Sequence, residues 1–190
     1  VFDRVIATDA SEKQIANAER HPGVEYRVAS AEKSEFEPAR VDLITVAQAL
    51  HWFDLERFYK EARRVLKPHG VIAATAYKLA TVSPAIDAVV NHYYSDVAGP
   101  YWPPERVLVE KFEELPFPFA EIAAPAFNMM AEWNVEQLLG YLRTWSATQR
   151  FIAAERRDPL EEVEEELRSA WGEKNRRVIW PLTMKVGQNL

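Results

Sequence analysis

The sequence predicts an α/β protein: a largely parallel sheet with helices on both faces. Three observations carry this reading. Short β-branched runs alternate with helical patterns across the first 78 residues, with brief connections between them. One run, Asp42-Leu43-Ile44-Thr45-Val46, is apolar enough to be covered on both faces, as parallel strands are. The chain has 190 residues, 48% apolar and 27% charged, which suits one ordinary domain with a core and excludes a disordered or fibrous chain.

The elements follow in order. Val5 to Thr8 is a short β-branched run ended by Asp9-Ala10-Ser11. Ser11 and Gln14 have capping-box spacing, which predicts a helix over Glu12 to Arg20, stopped by His21-Pro22-Gly23. Val24 to Val28 reads as a second strand, and Ser30 to Arg40 as a loop with a helical turn. The run from Asp42 to Val46 is the third strand. Asp54 can cap the next helix, whose apolar stripe is Leu55, Phe58, Tyr59, Ala62, Val65 and Leu66, with Lys67-Pro68-His69-Gly70 as its end. Val71 to Ala76 is the fourth strand.

The second half has a different texture. Residues 77–118 are rich in Tyr, Trp and Pro, with a helix expected over Ser83 to Tyr94 and an irregular segment after it. Ala120 to Trp133 reads as one strand, and Asn134 with Gln137 caps a helix that runs through Trp145. Asp158-Pro159 places a capping acid and a first-turn proline ahead of the acidic run from Glu161 to Glu166. The alternation of Val178, Trp180, Leu182, Met184 and Val186 predicts a last strand. Its Pro181 cannot donate to a ladder, which predicts pairing confined to the part after it or to one edge.

Composition narrows the function classes. A net charge of −6 argues against a nucleic-acid-coating surface. The lack of cysteine removes disulfides, thiolate zinc sites and cysteine nucleophiles, and fits a cytoplasmic setting. No apolar run reaches the roughly 18 residues of a membrane span. The four histidines (His21, His51, His69 and His92) show no metal-ligand spacing, so no metal is expected. The expected partner is a small molecule rather than a nucleic acid or a membrane; the oligomeric state is not encoded legibly.

Three segments carry the chemistry. The first is Ile6-Ala7-Thr8-Asp9-Ala10-Ser11, an acid at a strand end, where open α/β sheets bind ligands and a carboxylate can accept both hydroxyls of a ribose. The same acid could merely start a turn. The second is Ala29-Ser30-Ala31-Glu32-Lys33 after the second strand, and the third is Ala47-Gln48-Ala49-Leu50-His51-Trp52-Phe53-Asp54 after the third. Together with Arg64-Val65-Leu66-Lys67-Pro68-His69-Gly70, they resemble the class I S-adenosylmethionine-dependent methyltransferases. The branch they resemble is the small-molecule one that includes trans-aconitate methyltransferase-like proteins, the methyltransferase type 11 kind. The AQALHWFD run matches that branch fully, and His69 replaces the first glycine of its "VLKPGG" turn. Leu142-Arg143-Thr144-Trp145-Ser146 and Trp180-Pro181-Leu182 also look like it.

The resemblance implies a Rossmann-like sheet in a single domain, 1–190. Residues 1–78 would form the cofactor-side half, 79–118 and 134–172 cover and insert helices, and 119–133 and 176–188 closing strands. It implies S-adenosylmethionine as cofactor. Asp9, with Ala10 beside it, would hold the ribose; Ser30, Ala31 and Glu32 would lie along the adenine; Ala47 and Gln48 would meet the methionine part. His51 and Trp52 would face the sulfonium or the acceptor. Family members often carry an acid where Ser30 stands.

Methyl transfer from a sulfonium is an in-line displacement, so alignment is the main task. A carboxylate acceptor is already ionised at pH 7 and needs no base. A hydroxyl or amine acceptor would use His51 as general base, although an orienting role suits that histidine as well. Trp52, Tyr101, Trp102, Trp133 and Trp145 are candidates to line a cover, where aromatic faces attract a methyl sulfonium. Ordinary core packing is the preferred reading for Trp133 and Trp171. Arg143 and Arg150 are candidates to grip an anionic acceptor, and the acidic stretch 155–166 reads as a solvated helix face.

One part of the family pattern is not in the sequence. The Gly-rich turn that follows the family's first strand, about 20 residues upstream of the strand-end acid, has no counterpart, since eight residues precede Asp9. In the family's sheet that strand lies between the strands at 5–8 and 42–46, and without it two sets of ladder groups would be orphaned at ~1 kcal/mol or more for each buried group. The expectation is therefore a functional protein longer than these residues, with cofactor affinity severely reduced or absent otherwise. Two other classes stay open: a noncatalytic methyltransferase-like binding module, and a nicotinamide-dependent oxidoreductase.

Overall fold

The first half of the chain builds its strands where β-branched residues cluster. β1 (Val5–Asp9) and β2 (Val24–Val28) pair in parallel, from Val5 opposite Val24 to Asp9 opposite Val28. Between them lies α1 (Glu12–Asn17), capped by the Ser11 hydroxyl, which accepts the Gln14 N–H at 3.3 Å. The helix stops at Asn17 rather than Arg20, because Ala18 turns to extended backbone and the Arg20 guanidinium donates back to the Ile15 carbonyl at 3.1 Å.

β3 (Val41–Ala47) and β4 (Leu66–Tyr77) pair in parallel from Leu43 opposite Val71 to Ala47 opposite Thr75. The crossover between them is α2 (Leu55–Val65), started by the Asp54 carboxylate, which accepts the Arg57 N–H at 3.2 Å. Its predicted stripe buries Phe58, Tyr59, Ala62 and Val65. The Tyr59 hydroxyl donates to the Pro116 carbonyl at 2.7 Å, and burial pushes that phenol up to about 12. The computed structural model describes residues 2–190, and the chain divides into two units. One unit is Val1–Thr75 with Glu114–Ala124 and Met184–Leu190; the other is Ala76–Glu113 with Pro125–Thr183.

Lys67-Pro68-His69-Gly70 is not the turn before a strand that the sequence suggests. It is a bulge inside β4: Val41 pairs with Leu66, then Leu43 with Val71, so the extra residues loop out. His69 takes a left-handed φ of 64°, and its N–H donates to the Asn189 carbonyl at 2.7 Å. The Gln188 side chain donates to the His69 carbonyl at 3.1 Å, and the Asn189 N–H to that of Gly70 at 2.9 Å. A methyl group on Gly70 would lie 2.9 Å from the Lys67 carbonyl oxygen, which explains the glycine there.

The loop after β2 is clamped to α2 by one carboxylate. Glu61 Oε1 accepts the Ser34 N–H at 2.8 Å and the Ser34 hydroxyl at 2.5 Å, while Arg64 donates to both carboxylate oxygens at 2.7 Å. Chiefly through the Arg64 guanidinium, the Glu61 carboxyl is held at about 2.

In the second unit, α3 (Pro84–His92) continues into a wider turn over Tyr93–Val97, and α4 (Arg106–Glu110) is a short helix in the Pro-rich stretch. The single strand expected from Ala120 to Trp133 is two, β5 (Ala120–Glu121) and β6 (Phe127–Trp133), because Pro125 offers no N–H to a ladder. The helix expected to reach Trp145 ends sooner. It is α5 (Val135–Arg143), with the full Asn134–Gln137 capping box, and Trp145 instead precedes a separate helix, α6 (Ser146–Glu155). Asp158-Pro159 opens a tight turn over Pro159–Glu162, after which α7 (Glu164–Trp171) begins.

β7 (Arg176–Gln188) pairs antiparallel with β6 from Arg176 opposite Trp133 to Leu182 opposite Phe127. Pro181 sits within this register, opposite Asn128, so the proline does not confine pairing to the residues after it. Only alternate positions of an antiparallel strand donate toward a given neighbour, and such a ladder tolerates one proline. The core of this unit gathers Ile86, Tyr93, Leu139, Leu142, Leu167 and Trp171. Its buried Thr148 is satisfied: the hydroxyl donates to the Leu142 carbonyl at 2.8 Å and meets the Tyr93 hydroxyl at 2.7 Å.

The strands form two sheets, β1–β2 and a five-stranded sheet ordered β3-β4-β7-β5 with β6 also on β7. Among the described residues, β1 and β3 each keep one edge without a ladder partner. No described helix is long and apolar enough to cross a membrane.

Two measurements check this account. Relieving the left-handed strain with His69→Gly should raise stability by about 1 kcal/mol, whereas Gly70→Ala should lower it by about 1–3 kcal/mol, read from urea midpoints. Glu61 has a depressed folded-state pKa, so its contribution is present above the unfolded carboxyl value of about 4.3 and fades as pH falls toward 2. The stability gap between the wild type and Glu61→Gln should accordingly be full at pH 7 and close progressively below pH 4.3.

Candidate functional site

The residues singled out in the first half stand where strands end. Asp9 closes β1, Ser30 to Glu32 follow β2, and Ala47 closes β3. The Asp9 side chain is exposed, and its Oδ1 accepts the Ser11 N–H at 2.7 Å, the turn that a strand-end acid makes. Its Oδ2 accepts no hydrogen bond from the described residues. The Ala29 N–H donates to the Asp9 carbonyl at 3.0 Å, which ties the start of the next loop to the same point.

Glu32 braces that loop. The Ser30 hydroxyl donates to Glu32 Oε2, the Glu32 N–H donates to Ser30 Oγ at 3.2 Å, and Oε1 accepts the Asp54 N–H at 3.2 Å. The Ser30 hydroxyl is the main cause that holds the Glu32 carboxyl below the usual carboxylate range. One side chain thus connects the segment after β2 to the cap of α2. Ala31, between Ser30 and Glu32, is half-buried, so its backbone lies at the surface of the brace.

The segment after β3 turns sharply. Gln48 has a left-handed φ of 52°, rare for a side chain with a Cβ, and its N–H donates to the Thr75 carbonyl at 2.9 Å. A one-turn helix over Leu50–Trp52 then sinks Leu50 completely and buries His51, while Trp52 stays 56% exposed. The rings of His51 and Trp52 lie 4.7 Å apart. Leu50 fixes the turn, and the turn presents an aromatic face beside a buried imidazole. An exposed carboxylate oxygen, a braced backbone and an aromatic face suit a polar nucleoside with an apolar, cationic end.

The candidates of the second unit belong to an aromatic cluster. Trp102 and Trp145 pack with ring centroids 5.5 Å apart, and Tyr94 lies 4.9 Å from Trp102. Tyr141 meets Trp145 edge-on and accepts the Trp180 indole N–H at 3.3 Å. Trp133 packs on Trp180, and Trp171 is buried. Tyr101 stacks near Phe151 at 4.7 Å. Arg143 is engaged within the unit, its Nε 2.8 Å from Asp158 and its Nη2 3.6 Å from Glu164. Arg150 is exposed on α6. Arg106, which the sequence reading passes over in its Pro-rich surroundings, lies against Trp102; a lone basic residue soon after Tyr101-Trp102-Pro103-Pro104 was the available signal.

An open groove of about 480 Å³ runs along α2, lined by Leu55, Glu56, Tyr59, Lys60, Arg63, Pro116 and Pro118. None of the strand-end residues lines it.

Known proteins bear on this arrangement. Residues 1–74 match the family described as "Methyltransferase domain". A protein of Dictyostelium discoideum named as a methyltransferase is 36% identical over 174 residues, 90% of this chain and 66% of that protein. An uncharacterized methyltransferase of Schizosaccharomyces pombe is 29% identical over 149 residues, 77% of this chain and 57% of that protein. The chain therefore spans about two thirds or less of the length of these curated relatives. The solved structure named as a type II methyltransferase from Anaeromyxobacter dehalogenans shares 46% identity and a TM-score of 0.90, covering 100% of this chain and 82% of that one. These likenesses favour a methyltransferase over a nicotinamide-dependent oxidoreductase. With a solved relative 46% identical over the whole of this chain and 82% of its own, the chain belongs to the class I S-adenosylmethionine-dependent methyltransferases.

Proposed function

We propose that the protein binds S-adenosylmethionine at the ends of β1, β2 and β3 and serves methyl transfer to a small-molecule acceptor, a carboxylate being one candidate. The observation that carries this reading is the exposed Asp9 carboxylate, whose Oδ1 is consumed by its own turn while Oδ2 accepts nothing from the described residues. That leaves a fixed acceptor of the kind a pair of ribose hydroxyls needs.

When bound, the cofactor supplies a methyl group on a sulfonium, ready for in-line displacement. The chain's own residues do the positioning. Asp9 and Ala10 hold the sugar, and Ser30, Ala31 and Glu32 offer a braced edge to the base. Ala47 and Gln48, on the strained turn, take the amino-acid part, and Trp52 offers an aromatic face to positive charge. His51 is buried with its ring 4.7 Å from that of Trp52; with a carboxylate acceptor no proton has to move, and with a hydroxyl or amine His51 would take one. A Gly-rich turn on a further parallel strand is part of this reading, since β1 and β3 each keep an edge on which such a strand would pair. A noncatalytic binding module would share the cofactor site and differ only in turnover.

Calorimetric titration with S-adenosylhomocysteine of the chain joined to such a strand and Gly-rich turn tests the proposal. Binding is expected, and Asp9→Asn, which can still accept the Ser11 N–H, should weaken it about tenfold by losing charge-assisted hydrogen bonds while leaving the urea midpoint in place. No heat of binding, or an Asp9→Asn affinity equal to the wild type, would overturn the assignment.

A further inference from the structure

Arg106 opens α4 and lies over two rings of the second unit, its guanidinium carbon 4.7 Å from the centroid of Trp102 and 5.3 Å from that of Tyr94. Its Nε donates to the Tyr94 hydroxyl at 2.9 Å, and that hydroxyl donates in turn to Glu110. The Trp102 indole N–H donates to the Tyr94 carbonyl at 3.1 Å, so the two rings that support the guanidinium are tied to each other. The arginine side chain is half-buried.

These contacts use the π face and one of the five N–H donors of the guanidinium. Among the described residues no carboxylate lies within 4.0 Å of it, whereas Arg143, Arg157, Arg168 and Arg177 each have one. The terminal nitrogens therefore form a planar fork, fixed in orientation by stacking, with no acceptor from the described chain. Such a fork matches a planar oxyanion in two parallel hydrogen bonds. Glu110 stands one hydroxyl away and penalises two charges gathered on one headgroup, as on phosphate, more than the single charge of one carboxylate group.

We propose that Arg106 binds the carboxylate of the methyl acceptor, with Trp102 and Tyr94 fixing the plane of its fork. This rests on the cofactor assignment above for what the acceptor undergoes, but the anion site itself lies wholly in the second unit. It also moves the anion-binding role from Arg143, whose charge is met by Asp158 and Glu164, to a residue the sequence did not single out.

The test uses the full chain titrated with succinate, with its uncharged dimethyl ester and with inorganic phosphate, followed by tryptophan fluorescence, since Trp102 underlies the fork. Succinate should bind more tightly than either probe. Arg106→Gln should weaken succinate about tenfold or more, Arg106→Lys should recover part of that loss as a point charge, and Arg177→Gln on the surface should change nothing. A carboxylate is also present on the cofactor's amino-acid part, so S-adenosylhomocysteine is titrated into Arg106→Gln as well; its affinity should stay within about twofold of the wild type. Should Arg106→Gln fail to fold by circular dichroism, Arg106→Lys carries the comparison. Succinate binding no tighter than its ester or phosphate, or insensitive to both Arg106 variants, overturns the inference. A matching loss of S-adenosylhomocysteine affinity also overturns it, by assigning Arg106 to the cofactor. If S-adenosylhomocysteine fails on the wild type while Arg106-dependent succinate binding persists, the cofactor reading falls and the anion site stands.

Discussion

The Glu32 carboxylate is the constraint on which the candidate site depends. Loops after parallel strands have no reason of their own to keep a common shape, because each leaves the sheet with unsatisfied backbone groups and exposed polar side chains. Glu32 removes that freedom for two of them, since its two oxygens take a hydroxyl from its own loop and an N–H from the start of α2. Asp54, whose N–H is held, is itself the cap of α2, so the brace and the helix start share a residue. A neutral side chain would do this less well, because charge-assisted hydrogen bonds are stronger than neutral ones.

Two further devices hold the same region in shape. Glu61 clamps the loop beyond Glu32 to the body of α2 through Ser34, with Arg64 neutralising its charge. Leu50, fully buried, anchors the turn that displays Trp52. The strained backbone of Gln48 fits this pattern. A left-handed residue with a side chain is retained only where its surroundings over-determine it, and here the Thr75 carbonyl takes its N–H while the next residues are pinned by the core. Polar braces set position on one side and a buried leucine sets it on the other.

Much of the fold was legible because its signals are local. Alternating β-branched runs, the Ser11 and Asp54 caps and the one-sided stripe of α2 each act over a few residues, and each element formed close to where they pointed. The errors lie where a distant partner decides. Lys67 to Gly70 has the composition of a turn, yet the pairing of Leu66 with Val41 on one side and Val71 with Leu43 on the other, with contacts from Gln188 and Asn189, keeps it within a strand. Of the two readings of Pro181, confinement of pairing to the residues after it fails, because β6 supplies a register that runs through the proline. The site divides the same way: the strand-end residues were found through a recognisable run, whereas the pairing of Arg143 and the stacking of Arg106 depend on residues up to 21 positions away that no spacing rule connects.

The bulge in β4 has a consequence for how the chain acquires its shape. Its carbonyls and N–H groups are completed by residues near position 189, with 119 residues separating His69 from Gln188. Long loops of this kind must close before their contacts return any free energy, and they slow folding. A nascent chain would therefore carry β4 with an unfinished middle while more than half of the sequence was still being made. During that interval the nearly continuous apolar run from Val71 to Ala76 is open to other chains. Anything that shields that strand during synthesis would raise the yield of folded protein without changing the final stability.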